Sequence, residues 1–144
     1  MSAESKRILV PIDGSENALR AVAFAASLIK GRPDARLELL NVQLPVGGAV
    51  SMFVARSDIK GHQRDEGMKT LAPAIEAAKH SGVAFAHHIG VGQPGEVVAA
   101  FAKELGCDQI VMGTRGLGSA LGLLLGSVAT DVIHHAACPV TLVK

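Results

Sequence analysis

Five glycines, at positions 113, 116, 118, 122 and 126, punctuate the run from Met112 to Ala129 (MGTRGLGSALGLLLGSVA), and a serine follows the last of them. Glycine lets a main chain approach a ligand closely, and Gly113 and Gly116 could take positive φ, so such a run can turn several N–H groups onto an anion. Gly126 and Ser127 fall where a helix would begin; the free N–H groups and dipole there favour phosphate, and the Ser127 hydroxyl is a further donor. Arg115 is the only cation in the stretch. It could pair with a terminal phosphate or simply be solvated. Spacing alone is equally compatible with a tight turn followed by an ordinary serine cap. Leu121, Leu123, Leu124 and Leu125 argue against a solvated linker, because their apolar side chains need cover while the backbone stays available.

Short β-rich runs and longer segments of helical period must carry this stretch. Arg7 to Ile12 (RILVPI) reads as a strand buried on both faces, since Ile8, Leu9 and Val10 follow one another without a polar residue. Asp13, Gly14 and Ser15 make a tight turn with capping side chains. Glu16 to Lys30 reads as a helix with Leu19, Val22, Ala23, Ala26 and Ile29 inward, stopped by Gly31 and Pro33. A strand over Arg36 to Leu44 leads into a loop from Pro45 to about Ser57, then a polar helix from about Asp58 to His80 that Pro73 could kink. Val83 to Ile89, Gln109 to Met112 and Cys138 to Val143 are the remaining strands, with helices over Glu96 to Leu105 and Ser127 to Ala136. Alternation of this kind predicts an α/β protein: a doubly wound parallel sheet of five strands with helices on both faces. Ligands bind such sheets beyond the carboxyl ends of the strands, where strand order reverses.

The pattern Gly113-x-x-Gly116, nine residues, then Gly126-Ser127 resembles the nucleotide-binding signature of the universal stress protein family. The opening RILVPIDGS, the segment GQPGEVVAAFAKELGCDQIVMGTRG and the ending LLLGSVATDVIHHAACPVTLVK are similar to that family in order and spacing, so the resemblance spans nearly all of residues 1–144 and implies a single domain. It implies a Rossmann-like sheet of the adenine nucleotide alpha hydrolase type, in the order 3-2-1-4-5, and the ATP-binding branch of the family. Pro11, Asp13 and Val42 match its adenine and ribose positions: Asp13 would accept from a ribose hydroxyl and the Val42 backbone would read the adenine edge. Met112 and Gly113 would pass beneath the sugar. Thr114, Arg115, Gly116, Gly118 and Ser119 would form one side of the phosphate loop, and Gly126, Ser127, Val128 and Ala129 the other. Any Mg²⁺ would be carried by the phosphates. Asp13 has a second reading from its position alone, as the cap of the first helix. Asn41 stands where the family often has histidine, and Gln109 where it usually has leucine; neither touches the glycine signature.

Composition removes several other functions. The 144 residues carry 14 Lys and Arg against 13 Asp and Glu, a formal charge of +1, which is too balanced for counterion-release binding to nucleic acid. With no Trp and no Tyr a base-stacking platform is poorly supplied, so a bound base must sit in an aliphatic slot and be specified by backbone groups. Cys107 and Cys138 show no metal or disulfide spacing. No apolar run reaches the length of a membrane span and the start is unlike a secretory signal, so a cytoplasmic protein is expected. Gly90-Val91-Gly92-Gln93-Pro94-Gly95 formally satisfies GxGxxG but follows the third strand rather than the first, and is read as unrelated to ligand. No Gly-Lys pair exists for a P-loop.

His134 and His135 are read as surface residues, with Asp131 and His135 a helical pair. No base or lysine is placed for rapid phosphoryl transfer, so slow ATP hydrolysis is the most that is expected. The last strand, Pro139 to Val143, is an uncharged edge that invites pairing with another chain. The resemblance points the same way, to a homodimeric nucleotide-responsive regulator. The alternative is an interaction module whose glycines are structural and which binds no nucleotide.

Overall fold

The computed structural model describes residues 6–45, 61–114 and 125–144. Along them strands and helices alternate: β1 (Arg7–Pro11), α1 (Glu16–Ile29), β2 (Arg36–Gln43), α2 (Gly61–Ser81), β3 (Ala84–Val91), α3 (Pro94–Glu104), β4 (Gln109–Gly113), α4 (Ser127–His135) and β5 (Val140–Val143). Every pairing is parallel and the order is β3-β2-β1-β4-β5, as the resemblance implied. β1 is the central strand, and its side chains serve two cores. Ile8 and Val10 pack with α1 and α2, while Leu9 packs on the opposite face with residues of α3 and α4.

One expectation about the helices changes. α1 buries Ala18, Ala21, Val22, Ala25, Ala26 and Ile29 but leaves Ala23 exposed. Each helical step turns about 100°, so Ala23 points away from the stripe centred on Ala18, Ala21 and Ala25, whose small side chains let the helix lie close on the sheet. α2 runs unbroken through Pro73, which is exposed, so the missing N–H leaves its carbonyl partner to water rather than to the core. Among the described residues no helix is long and apolar enough to cross a membrane.

The sheet opens between β1 and β4. Their register covers only Ile8 with Gln109 and Leu9 with Ile110, whereas β1 and β2 stay paired from Arg7 with Arg36 to Pro11 with Leu40. Ile12 N–H donates to Leu40 O at 2.7 Å, so even-numbered residues of this segment face β2 and Pro11 faces β4. Proline has no N–H to give. The ladder to β4 therefore stops, and a crevice forms where strand order reverses.

Candidate functional site

Two strand-to-helix connections border this crevice, and they start their helices differently. In the turn after β1, Ser15 and not Asp13 caps α1: its hydroxyl accepts from Ala18 N at 3.1 Å. Asp13 instead accepts from Ser15 N at 2.9 Å and from the Ser15 hydroxyl at 2.5 Å, both through Oδ1. A short polar side chain that bonds the main chain two residues on makes this turn locally, with Gly14 at φ 89°. The carboxylate is left exposed, with Oδ2 outside those bonds.

Among the described residues no side chain caps the start of α4. Its N-cap is Gly126, extended at φ −65° and ψ 158°, and Ser127 is the first helical residue rather than the cap. Gly126 N–H is spent on Thr114 O at 2.7 Å. The amides of Ser127, Val128 and Ala129 are the first-turn donors that have no carbonyl within the helix to meet.

Gly113 has a different reason from the one expected. Its φ is not positive. A Cβ there would instead lie 2.9 Å from Asn17 Cβ and 3.2 Å from the Asn17 backbone, so glycine lets the end of β4 lie directly on α1. Thr114 continues this junction: its N–H donates to Val143 O at 2.9 Å, and buried Asn17 donates through Nδ2 to Val143 O and to the Thr114 hydroxyl at 3.4 and 3.5 Å.

These connections enclose a cavity of about 290 Å³. Its wall contains Pro11, Asp13, Val42, Met112, Gly113, Thr114, Gly126, Ser127, Val128 and Ala129, so every expected site residue within the described chain is brought together. Arg115, Gly116, Gly118 and Ser119 lie outside the described residues. Sequence reasoning missed Ile12, Ser15, Ala18, Leu40, Asn41, Pro94 and Val98, which complete the wall. Asn41 had a visible signal, being the one amide amid the apolar run LLNV; it is buried and donates through Nδ2 to Ile12 O at 2.9 Å.

The GxGxxG segment is largely architectural. A Cβ on Gly90 would meet Val97 and Phe101, one on Gly95 would meet Asp131, and Gly92 turns at φ 146°. Yet β3 extends to Val91 and α3 starts at Pro94, two residues before the expected Glu96, because proline suits the first helical position. That earlier start brings Pro94 to the cavity wall.

Polar groups elsewhere are tied to one another. Glu38, fully buried in β2, receives Arg36 Nε at 2.5 Å and His88 Nε2 at 2.7 Å, with Arg7 Nε at 3.5 Å. His135 sits 3.6 Å from Asp131, the pair expected, and 3.9 Å from Glu96 as well. Burial, with the Glu38 charge behind it, pushes the Cys107 thiol up to about 12, and burial also raises Cys138. Neither is primed as a nucleophile.

Comparison with known proteins agrees with this architecture. The family model described as the universal stress protein family matches residues 4–144. Universal stress protein YxiE of Bacillus subtilis is 32% identical over 96% of this chain and 98% of its own. Among solved structures, the protein MJ0577 superposes with a TM-score of 0.81 at 26% identity, covering 99% of this chain and 97% of that one. The universal stress protein of Archaeoglobus fulgidus in complex with dAMP has a TM-score of 0.69 at 28% identity, over 96% and 97% of the two chains. A universal stress protein in complex with cAMP has a TM-score of 0.72 at 25% identity, over 99% and 98%.

Proposed function

The chain belongs to the universal stress protein family, and from that premise we propose that it binds an adenine nucleotide in the cavity at the carboxyl ends of β1, β2 and β4. The observation that carries this reading is the convergence on one cavity of three complementary features: the Asp13 carboxylate, the Val42 main chain and the uncapped first turn of α4. A carboxylate accepts from sugar hydroxyls, a backbone N–H and C=O pair complements an adenine edge, and first-turn amides with their dipole attract phosphate. The volume sits at the lower end of the small-molecule range. The relatives solved with dAMP and cAMP support the same ligand class.

ATP is the nucleotide assigned, with Mg²⁺ held by its phosphates and hydrolysis at most slow. The protein acts as a cytoplasmic, nucleotide-responsive stress regulator, a homodimer joined along the edge from Pro139 to Val143. β5 supports that interface: it ends the sheet, carries no charge from Val140 to Val143, and leaves those four residues half-buried in one chain. An unpaired edge of this kind is a template for a second strand. Sedimentation tests the dimer; a monomer at micromolar concentration overturns it.

With no Trp and no Tyr, the near-ultraviolet absorbance of a liganded preparation would come mainly from adenine. A desalted sample is expected to show an adenine band and to release the nucleotide for mass spectrometry, or, if isolated empty, to bind AMP, ADP or ATP in calorimetry. Absence of both the band and the heat overturns the nucleotide reading and leaves an interaction module.

A further inference from the structure

The β1–β2 ladder stops one rung early, and a side chain sits where the next rung would be. Ile12 N–H donates to Leu40 O, and continuing the register one step past its last pair, Pro11 with Leu40, sets Ile12 opposite Asn41. In a regular parallel ladder the next bond would run from Val42 N–H to Ile12 O. Instead Ile12 O receives Asn41 Nδ2 at 2.9 Å, and the main-chain bonds between the two strands end at Ile12 N–H. Gln43 Nε2 donates to Asn41 Oδ1 at 2.6 Å, which holds the amide in the orientation that presents its NH₂ to the carbonyl. Asn41 is buried, so this bond is not exchanged freely with water.

The consequence falls on Val42. By strand alternation its N–H and C=O face the side of Leu40 O, toward the place that β1 has vacated, and Val42 lines the cavity. We infer that Asn41 is a positioning residue that sets base selectivity: by occupying Ile12 O it keeps the Val42 main chain available to a nucleobase. This rests on the adenine-nucleotide reading of the same cavity. One residue's N–H and C=O match adenine, which presents an acceptor at N1 beside a donor at the 6-amino group. Hypoxanthine reverses both, with a donor at N1 and an acceptor at position 6, so the free edge favours AMP over IMP.

Asn41→Leu keeps the volume but removes the donor, so Val42 N–H closes onto Ile12 O. The full-length variant is expected to bind AMP about tenfold more weakly, to lose most of its AMP-over-IMP preference, and to protect the Val42 amide from hydrogen exchange without nucleotide. In the unmutated protein that amide is expected to exchange fast when free and to be protected by AMP. Asn41→His restores a ring N–H donor and is expected to recover the preference. If leucine is not accommodated, Asn41→Ala removes the same donor and is read in the same way. A purely structural role would lower stability while leaving both the AMP-to-IMP ratio and the Val42 exchange unchanged; that result, with AMP still bound, overturns the inference alone. Failure of the unmutated protein to bind AMP overturns the nucleotide reading itself.

Discussion

At the amino ends of the strands, polar groups are spent on one another: Glu38 gathers Arg36, Arg7 and His88, Asp108 accepts from the main-chain N–H of Lys6 and Arg7, and Arg7 donates to Leu105 O. At the carboxyl ends Thr114 and Gly126 are also tied down, but around the cavity other groups are not. Pro11 withholds a donor from β4, Asn41 replaces a backbone rung, and α4 starts on a glycine that caps nothing. One end closes the sheet and the other leaves groups uncommitted. The contrast places the buried polar network at one end of the strands and the proposed binding site at the other, so changes at each should move different observables.

The largest effect belongs to the closed end. Glu38→Ala leaves His88 and two arginines without their common acceptor and opens a void beneath β2. Both arginines are partly exposed and can turn to water, so the expected cost is about 3 kcal/mol, at the lower edge of values for breaking a buried pair. Urea unfolding measures it, and the nucleotide preference of the remaining folded protein should not change.

Gly113→Val comes next and blurs the contrast, because this glycine borders the open end yet serves packing. Its Cβ would press on Asn17, whose neighbours are held by β4 and β5. A loss of about 2 kcal/mol is expected from overpacking, visible as a lower urea midpoint before any ligand is added. An unchanged midpoint would return Gly113 to a role in ligand binding.

Asp13→Asn keeps the Oδ1 acceptor that Ser15 uses and removes the charge. Stability should stay within about 0.5 kcal/mol, while affinity for an adenine nucleotide falls about tenfold, as calorimetry would read. Equal losses in both would make Asp13 a turn residue only.

The smallest effect is a pH dependence at the closed end. Burial pushes the Cys107 thiol up to about 12 in the fold, against 9.0 when exposed. Unfolding in that interval releases a proton, so the contribution is fully present below pH 9 and declines as pH rises toward 12. Partial exposure keeps it shallow. Cys107→Ala should flatten this part of the stability profile, and alkylation at pH 8 should be slow until the protein is unfolded.

Much of this was legible along the chain. Consecutive aliphatics marked β1 as buried on both faces, helical periodicity separated the crossovers, and right-handed connection of parallel strands left few sheet orders to consider. The residues of the expected site within the described chain meet in one cavity because each lies at a strand end or helix start, and topology alone gathers such positions. Local chemistry also made Ser15 and Asp13 visible as turn residues, though not which of them caps α1: both are good caps, and the choice depends on where the helix starts.

Other roles depended on distance through space, which no periodicity encodes. Gly113 is glycine because α1 lies against it, Gly90 because Phe101 does, and Gly95 because Asp131 does. Glu38 is an acidic residue within an apolar strand, and only the fold brings Arg7 and His88 to it from neighbouring strands. Asn41 acquired its meaning only from register: a one-residue shift would put its amide opposite a different carbonyl and leave Val42 in the ladder. The sequence by itself determined which segments could form a sheet and at which end of its strands a crevice was to be sought. Only the tertiary structure decided which polar groups are consumed by partners and which remain free, because a hydrogen bond is satisfied by proximity across strands rather than by order along the chain.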